Sequence, residues 1–156
     1  MKWIEVGDYA AMGALAAERL FAVILEKVQA GKPVNIGLAT GNTMIGTYHL
    51  LAGMLNKSGV NLAVMTTFNL DEYIGPDHCN VASSHPLSYR AYMRKEFFGK
   101  LNPELGFCPD KIMFPDAADA PAYDTEIAGA GGIDFQLLGS VLTGTSPSTS
   151  LSRRPR

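Results

Sequence analysis

Apolar residues return every four positions between Tyr9 and Gln29. Met12, Ala16, Leu20, Ile24 and Val28 form one row, with Leu15 and Val23 beside it. That period is helical, and the row predicts an amphipathic helix buried along one side. Asp8 stands where an N-cap belongs, and Gly31 followed by Pro33 supplies the stop. The pattern then changes to a short unbroken apolar run, Val34 to Ala39, as in a strand buried on both faces. A second helical stretch runs from about Met44 to Lys57, with Ile45, Tyr48, Ala52 and Leu55 facing inward and Ser58-Gly59 ending it. Leu62 to Leu70 is apolar and β-prone again, until Asp71-Glu72 interrupts it and Gly75-Pro76 turns the chain. Strand, helix and strand in such close succession predict a right-handed βαβ unit with parallel strands.

The remaining pattern is more broken. Trp3 to Val6 suits a short edge strand, and residues 75–84 read as a polar loop. Ser84 or His85 is expected to cap a third helix, with Pro86 in its first turn and Tyr89, Met93 and Phe97 on its apolar face. Asn102-Pro103 ends that helix, and Ile112 to Phe114 forms a strand-like piece. Pro121 to Ala128 reads as a fourth helix closed by Gly129 to Gly132, and Ile133 to Leu138 as another buried strand. Strands and helices in this order specify an α/β fold, a Rossmann-like parallel sheet with flanking helices.

Bulk properties narrow the function. A chain of 156 residues that is 47% hydrophobic has enough apolar material for one core. A net charge of −2, with no basic stripe, argues against nucleic acid as a partner. No run is long enough for a membrane span, and charges interrupt the N-terminal segment where a signal core would sit. Cys79 and Cys108 lack metal-type spacing, and His49, His78 and His85 are scattered. A reduced, cytoplasmic chain that needs neither metal nor cofactor is the expectation.

Two loops carry candidate chemistry. Thr40-Gly41-Asn42-Thr43 joins a strand to a helix start, where free N–H groups and the helix dipole favour an anion. Gly41 lets the backbone approach a ligand, and the Thr40 and Thr43 hydroxyls can donate to phosphate. No Lys follows and the G-x-G-x-x-G spacing is absent, so a small phosphorylated molecule fits better than a nucleotide. In parallel strands Asp71 leaves the sheet at the same edge. A carboxylate there can take a proton from one sugar carbon and return it to the next. The same residues also suit a helix-capping turn and the start of a solvated loop.

At this point the chain resembles the glucosamine-6-phosphate deaminase (isomerase) family. The matching stretches are Gly37 to Thr43 (Gly-Leu-Ala-Thr-Gly-Asn-Thr), Thr66 to Tyr73 (Thr-Thr-Phe-Asn-Leu-Asp-Glu-Tyr), His85 to Tyr89 (His-Pro-Leu-Ser-Tyr) with Tyr92-Met93, and Gly131 to Gly139 (Gly-Gly-Ile-Asp-Phe-Gln-Leu-Leu-Gly). The resemblance implies conversion of glucosamine 6-phosphate and water to fructose 6-phosphate and ammonia. It implies that Asp71 is the acid/base moving a proton between C2 and C1, and that Thr40, Gly41, Asn42 and Thr43 bind the substrate phosphate. Glu72 and Tyr73 stand beside the site with no role assigned. Family members are often homo-oligomers, which the resemblance carries over as an expectation. Two other readings stay open, a 6-phosphogluconolactonase-like hydrolase and a non-catalytic sugar-phosphate sensor. Tyr73 and the His85–Tyr89 element speak against the first, and the short stretch ahead of the first main strand leaves no room for the second's DNA-binding module.

The resemblance stops at Gly139. The family continues with a Gly-, His- and Asn-rich motif whose His opens the sugar ring, whereas ten of the last fourteen residues here are Ser, Thr or Arg. Restoring one base in the Gly139 codon allows Gly-Ile-Gly-Thr-Asn-Gly-His-Ile-Ala-Phe-Asn-Glu-Pro, which is the missing motif. The expectation is therefore a frame-shifted, truncated chain. Residues 1–139 would be the N-terminal part of a sugar-phosphate domain, incomplete at its C-terminal side, and 140–156 a non-homologous, disordered tail. Such a chain would be marginally folded, with exposed edges and apolar faces that favour aggregation or partnering, and would have no deaminase turnover.

Overall fold

The computed structural model describes residues 3–139. The expected frame shift and disordered tail fall on 140–156, outside the described residues.

Helix α1 spans Tyr9–Gln29 and starts as expected, with the Asp8 carboxylate accepting the Ala11 N–H at 2.7 Å. It stops at Gly31, whose φ of 65° lets its own and Lys32's N–H bond back to Val28 and Lys27. The buried row keeps the expected Leu20 and Ile24 but is rotated in its first half. Gly13, Ala17, Leu20 and Ile24 face inward, while Met12 is 44% exposed. Small residues explain the rotation, since a Cβ on Gly13 would lie only 3.4 Å from Thr47 Oγ1 of the neighbouring helix. The two helices cross where side chains are smallest, and hydrophobicity alone does not report that.

Strand β1 is Val34–Leu38 and is buried along its whole length. A 3₁₀ turn, Asn42–Met44, leads into helix α2, Ile45–Ser58, which Gly59 closes in the left-handed conformation. Strand β2, Met65–Asn69, pairs parallel to β1 from Val34↔Met65 to Leu38↔Asn69. Helix α3 is Tyr89–Glu96, strand β3 Ile112–Met113, helix α4 Ala120–Gly129 and strand β4 Phe135–Gln136. Among the described residues the sheet order is β3-β2-β1-β4, every pair parallel. The α/β expectation holds. Trp3 to Val6 forms no strand, because Trp3 and Ile4 lie exposed with no sheet partner. The third helix begins at Tyr89 and is capped by Ser88, so neither Ser84 nor His85 caps it and Pro86 precedes it.

The two faces of the sheet differ. Val34, Ile36, Leu38 and Met65 share one face by the alternation of side chains and join a core with Leu20, Ile24, Tyr48, Leu51, Leu55, Met93 and Phe97. Helices α1, α2 and α3 supply that layer. Asn35, Gly37, Thr66 and Phe68 alternate to the other face, where Phe68 meets Tyr123 of α4 edge-on at 6.0 Å. Asn35 is buried there, and its side-chain amide donates to the carbonyls of Ala130 and Gly132, both at 2.8 Å. The Asp134 carboxylate takes the Asn35 N–H at 2.9 Å and the Lys27 ammonium at 2.5 Å, pinning the turn that feeds β4. Burial opposes the charge of Asp134, but Lys27 and the Asn35 N–H outweigh it and hold the carboxyl below its ordinary range.

Tyr48 connects this core to the edge of the sheet. Its ring is fully buried and stacks on Phe97 at 5.4 Å, and its hydroxyl donates to the Ala39 carbonyl. Ala39 immediately precedes the Thr40–Thr43 loop. Tyr48→Phe keeps the packing but leaves that buried carbonyl without its donor, which costs about 1–3 kcal/mol. Urea unfolding should show the loss with an unchanged denaturant slope; a change under about 0.5 kcal/mol would mean the bond does not anchor the loop.

Candidate active site

The pairing of β1 with β2 fixes the relation between the two candidate loops. Leu38 is opposite Asn69, so Thr40 and Asp71 each stand two residues beyond the same paired position. They leave the sheet side by side. Because β2 and β4 lie on opposite sides of β1, the chain reverses its direction of travel across the sheet at this edge. Open α/β sheets hold ligands at such a point.

Each part of the Thr40–Thr43 loop has a physical reason for its shape. Gly41 has φ 126°, a conformation that a side chain would strain. Its carbonyl turns back to accept the Met44 N–H at 2.9 Å and the Tyr92 hydroxyl at 2.6 Å. The Asn42 carbonyl accepts the Tyr9 hydroxyl at 3.1 Å. The Gly41 and Asn42 carbonyls are thus occupied by protein. Among the described residues no acceptor takes the N–H of Thr40, Gly41, Asn42 or Thr43. Donors left over at the start of a helical segment are the arrangement that favours an anion.

Asp71 and Glu72 are adjacent, yet their surroundings drive them apart. Asp71 is exposed at one side and edges a hollow of about 160 Å³ with Leu70, Ile74, Asn80 and Pro115. Partial burial and the neighbouring Glu72 charge both raise its carboxyl above the ordinary range. The Glu72 side chain is 1% exposed. Its Oε1 accepts the N–H groups of Tyr73 at 2.9 Å and Tyr89 at 2.7 Å, and its Oε2 accepts the Arg90 N–H at 3.0 Å and the Ser88 hydroxyl at 2.9 Å. Burial works against its charge, but the N–H groups of Tyr89, Arg90 and Tyr73 and the Ser88 hydroxyl win and lower it. Glu72 is the acidic cap of α3, supplied from a different part of the chain.

That cap sets α3 against the site. Tyr73 and Tyr89 pack with ring centres 4.9 Å apart and hydroxyls 3.5 Å apart. The Tyr89 phenol is pushed up to about 12 by the Tyr73 hydroxyl, by burial and by the Asp71 charge, while Thr40 acts against the rise. Tyr89 thus reaches from the carboxylate side of the site to the anion loop. Tyr92, one turn on, holds the Gly41 carbonyl. Pattern reading placed Tyr89 only on an apolar helix face and left Ser88, Arg90 and Tyr92 out of the site. The signals for Ser88, Tyr89 and Tyr92 are the resemblance of the His85–Tyr89 and Tyr92-Met93 stretches and their polar decoration. Among the described residues no group of three or more His, Cys, Asp or Glu is arranged to hold a metal ion, and no helix is long and apolar enough to cross a membrane.

Known proteins with this arrangement are alike in name. No family model matches the chain. The glucosamine-6-phosphate deaminase of Geobacillus sp. strain WCH70 is 36% identical over 158 residues, covering 97% of this chain and 59% of that protein. The glucosamine-6-phosphate deaminase of Hahella chejuensis is 37% identical over 162 residues, covering 100% of this chain and 58% of the relative. A solved monomeric glucosamine-6-phosphate deaminase of the NagB superfamily superposes with a TM-score of 0.74 at 30% identity, over 87% of this chain and 54% of the other. The chain therefore spans less than two thirds of the length of these relatives. By sequence and by fold the chain is similar to glucosamine-6-phosphate deaminases over somewhat more than half of their length.

Proposed function

We propose that residues 1–139 form the N-terminal, phosphate-gripping and proton-transferring part of a deaminase acting on glucosamine 6-phosphate. The observation that carries this reading is the side-by-side exit of Thr40 and Asp71 from paired strands. The free N–H groups and hydroxyls of Thr40 to Thr43 hold the substrate phosphate. Asp71, with its carboxyl raised by burial and by Glu72, takes the proton from one of carbons 1 and 2 and returns it to the other. Glu72 stays ionised and spectates, because its lone pairs are committed to α3. Two neighbouring carboxylates pushed in opposite directions divide the labour between chemistry and support. The compartment assigned is the cytoplasm, where the free Cys79 and Cys108 stay reduced.

A partial reaction tests this reading on the 156-residue chain itself. The C1 protons of open-chain fructose 6-phosphate are acidified by the C2 carbonyl. A base at Asp71 removes one to give an enediolate and then returns a deuteron from heavy water. Slow deuterium incorporation at C1 is expected, with no ammonia released from glucosamine 6-phosphate, because the family's ring-opening His has no counterpart at 140–156. Thr43→Ala should weaken binding of both sugar phosphates by about 10-fold, the worth of one charge-assisted hydrogen bond. Absence of exchange, or glucosamine binding as tightly as its 6-phosphate, would sink the proposal; measurable ammonia release would overturn the half-site reading alone.

A further inference from the structure

We infer that the groove between α3 and β3 is a second anion site, distinct from the Thr40–Thr43 loop, which takes a small organic phosphate with an apolar or planar body. The groove encloses about 530 Å³ and is lined by Ser83, Arg90, Arg94, Phe98, Ile112 and Phe114 among others. Arg90 and Arg94 are one helical turn apart on α3, a spacing at which like charges repel unless something negative lies between them. Lys95, next along, has the Glu96 carboxylate at 3.1 Å, whereas Arg94 has no acidic partner among the described residues. Arg90 lies over the Phe114 ring at 4.8 Å and has its Nε 3.9 Å from Glu72, beyond hydrogen-bonding distance. Its terminal nitrogens make no hydrogen bond to protein among the described residues.

Two guanidinium groups a turn apart, one of them held flat on an aromatic ring, suit the oxygens of a phosphate. The floor beneath them is Phe98, Ile112 and Phe114, which inorganic phosphate alone would leave uncovered. An attached apolar or planar group would fill it, and the Ser83 hydroxyl offers one further donor. The site's place in the sheet is favourable too. Among the described residues β3 is one edge strand and β4 the other, with Gly139, the last of them, packed near Met44 on the far side of β1. The described chain therefore leaves by the edge opposite to the groove.

Calorimetric and NMR titration of the purified 156-residue chain with phenyl phosphate tests the assignment, with inorganic phosphate as the comparison. Saturable binding is expected, shifting the amide signals of Arg94, Phe98 and Ile112. Arg94→Ala should weaken it by about 10-fold and Arg94→Glu abolish it, both at an exposed position where folding is not at stake. Thr43→Ala should leave it unchanged. Inorganic phosphate should bind the groove about 10-fold more weakly, having nothing to place on the aromatic floor. No saturation in the millimolar range, equal affinity in Arg94→Ala, or loss in Thr43→Ala would each overturn the second site.

Discussion

Asp71→Asn is expected to abolish the deuterium exchange at C1 of fructose 6-phosphate and, at neutral pH, to make the folded chain slightly more stable. The loss follows from chemistry, since an amide cannot carry the proton; removing a positioned acid/base group commonly costs about 10²–10⁴-fold. The gain follows from linkage. The folded state raises the Asp71 carboxyl, so it holds that proton more tightly than the unfolded chain does. Its contribution to stability is complete below the ordinary Asp range and is lost as pH rises through the raised folded value. At pH 7 the folded chain therefore bears the cost of a partly buried charge beside Glu72, and asparagine removes it. Because Asp71 is exposed on one side, the gain is small. Thermal melts should show the variant ahead of the parent at pH 7 and level with it near pH 3. A variant less stable at pH 7, or one that keeps exchange, contradicts the role.

Glu72→Ala has the larger structural effect, a loss of about 3 kcal/mol. The change strands two α3 N–H groups and the Ser88 hydroxyl in a nearly closed environment, and no water-exposed surface compensates. Glu72→Gln keeps an acceptor and the shape but brings an NH₂ group against N–H donors, so it should cost about half as much. Urea unfolding reads both, and amide exchange should locate the loosening at Tyr89 to Ala91. An ordinary surface acid would lose less than about 0.5 kcal/mol, and a result that small would refute the capping role. The pH dependence has the opposite sign to that of Asp71. Glu72 is lowered in the folded chain, so its contribution is present above the ordinary Glu range and is lost as pH falls through the folded value. Asp134 and Glu96 are lowered as well, the latter chiefly by hydrogen bonds from His49 and Lys95, so all three withdraw support together in acid.

Much of this was readable in the chain because the signals were local. Asp8, Gly31 and Gly59 mark their helix ends through their own backbone and nearest neighbours, and they stand where expected. The parallel pairing that sets Thr40 beside Asp71 follows from strand–helix–strand succession. The start of α3 was misplaced because its principal cap, Glu72, lies 16 positions before Ser88. No window over 84–90 contains it, and Pro86 offered a plausible but wrong first turn. Trp3 to Val6 has strand-like composition and, among the described residues, no strand to pair with. The N-terminal half of the α1 stripe is displaced by one residue, because close approach at Gly13 and Ala17 outweighs the larger side chain of Met12, while Leu20 and Ile24 stand where expected. Tertiary fit decided each of these, and hydrophobic period does not encode it.

The Glu72 cap also bears on how this protein tolerates change. One carboxylate joins Tyr73 to residues 88–90, so the seating of α3 beside Asp71 and Tyr73 does not rest on the length of chain between them. Lengthening a flexible loop whose ends are already clasped adds only about 0.6 kcal/mol per doubling. Insertions and deletions there can accumulate while Asp71, Tyr73 and Tyr89 keep their places. Outside the anchored Asn80 and Val81 the loop is then free to diversify, and the clasp is what stays fixed.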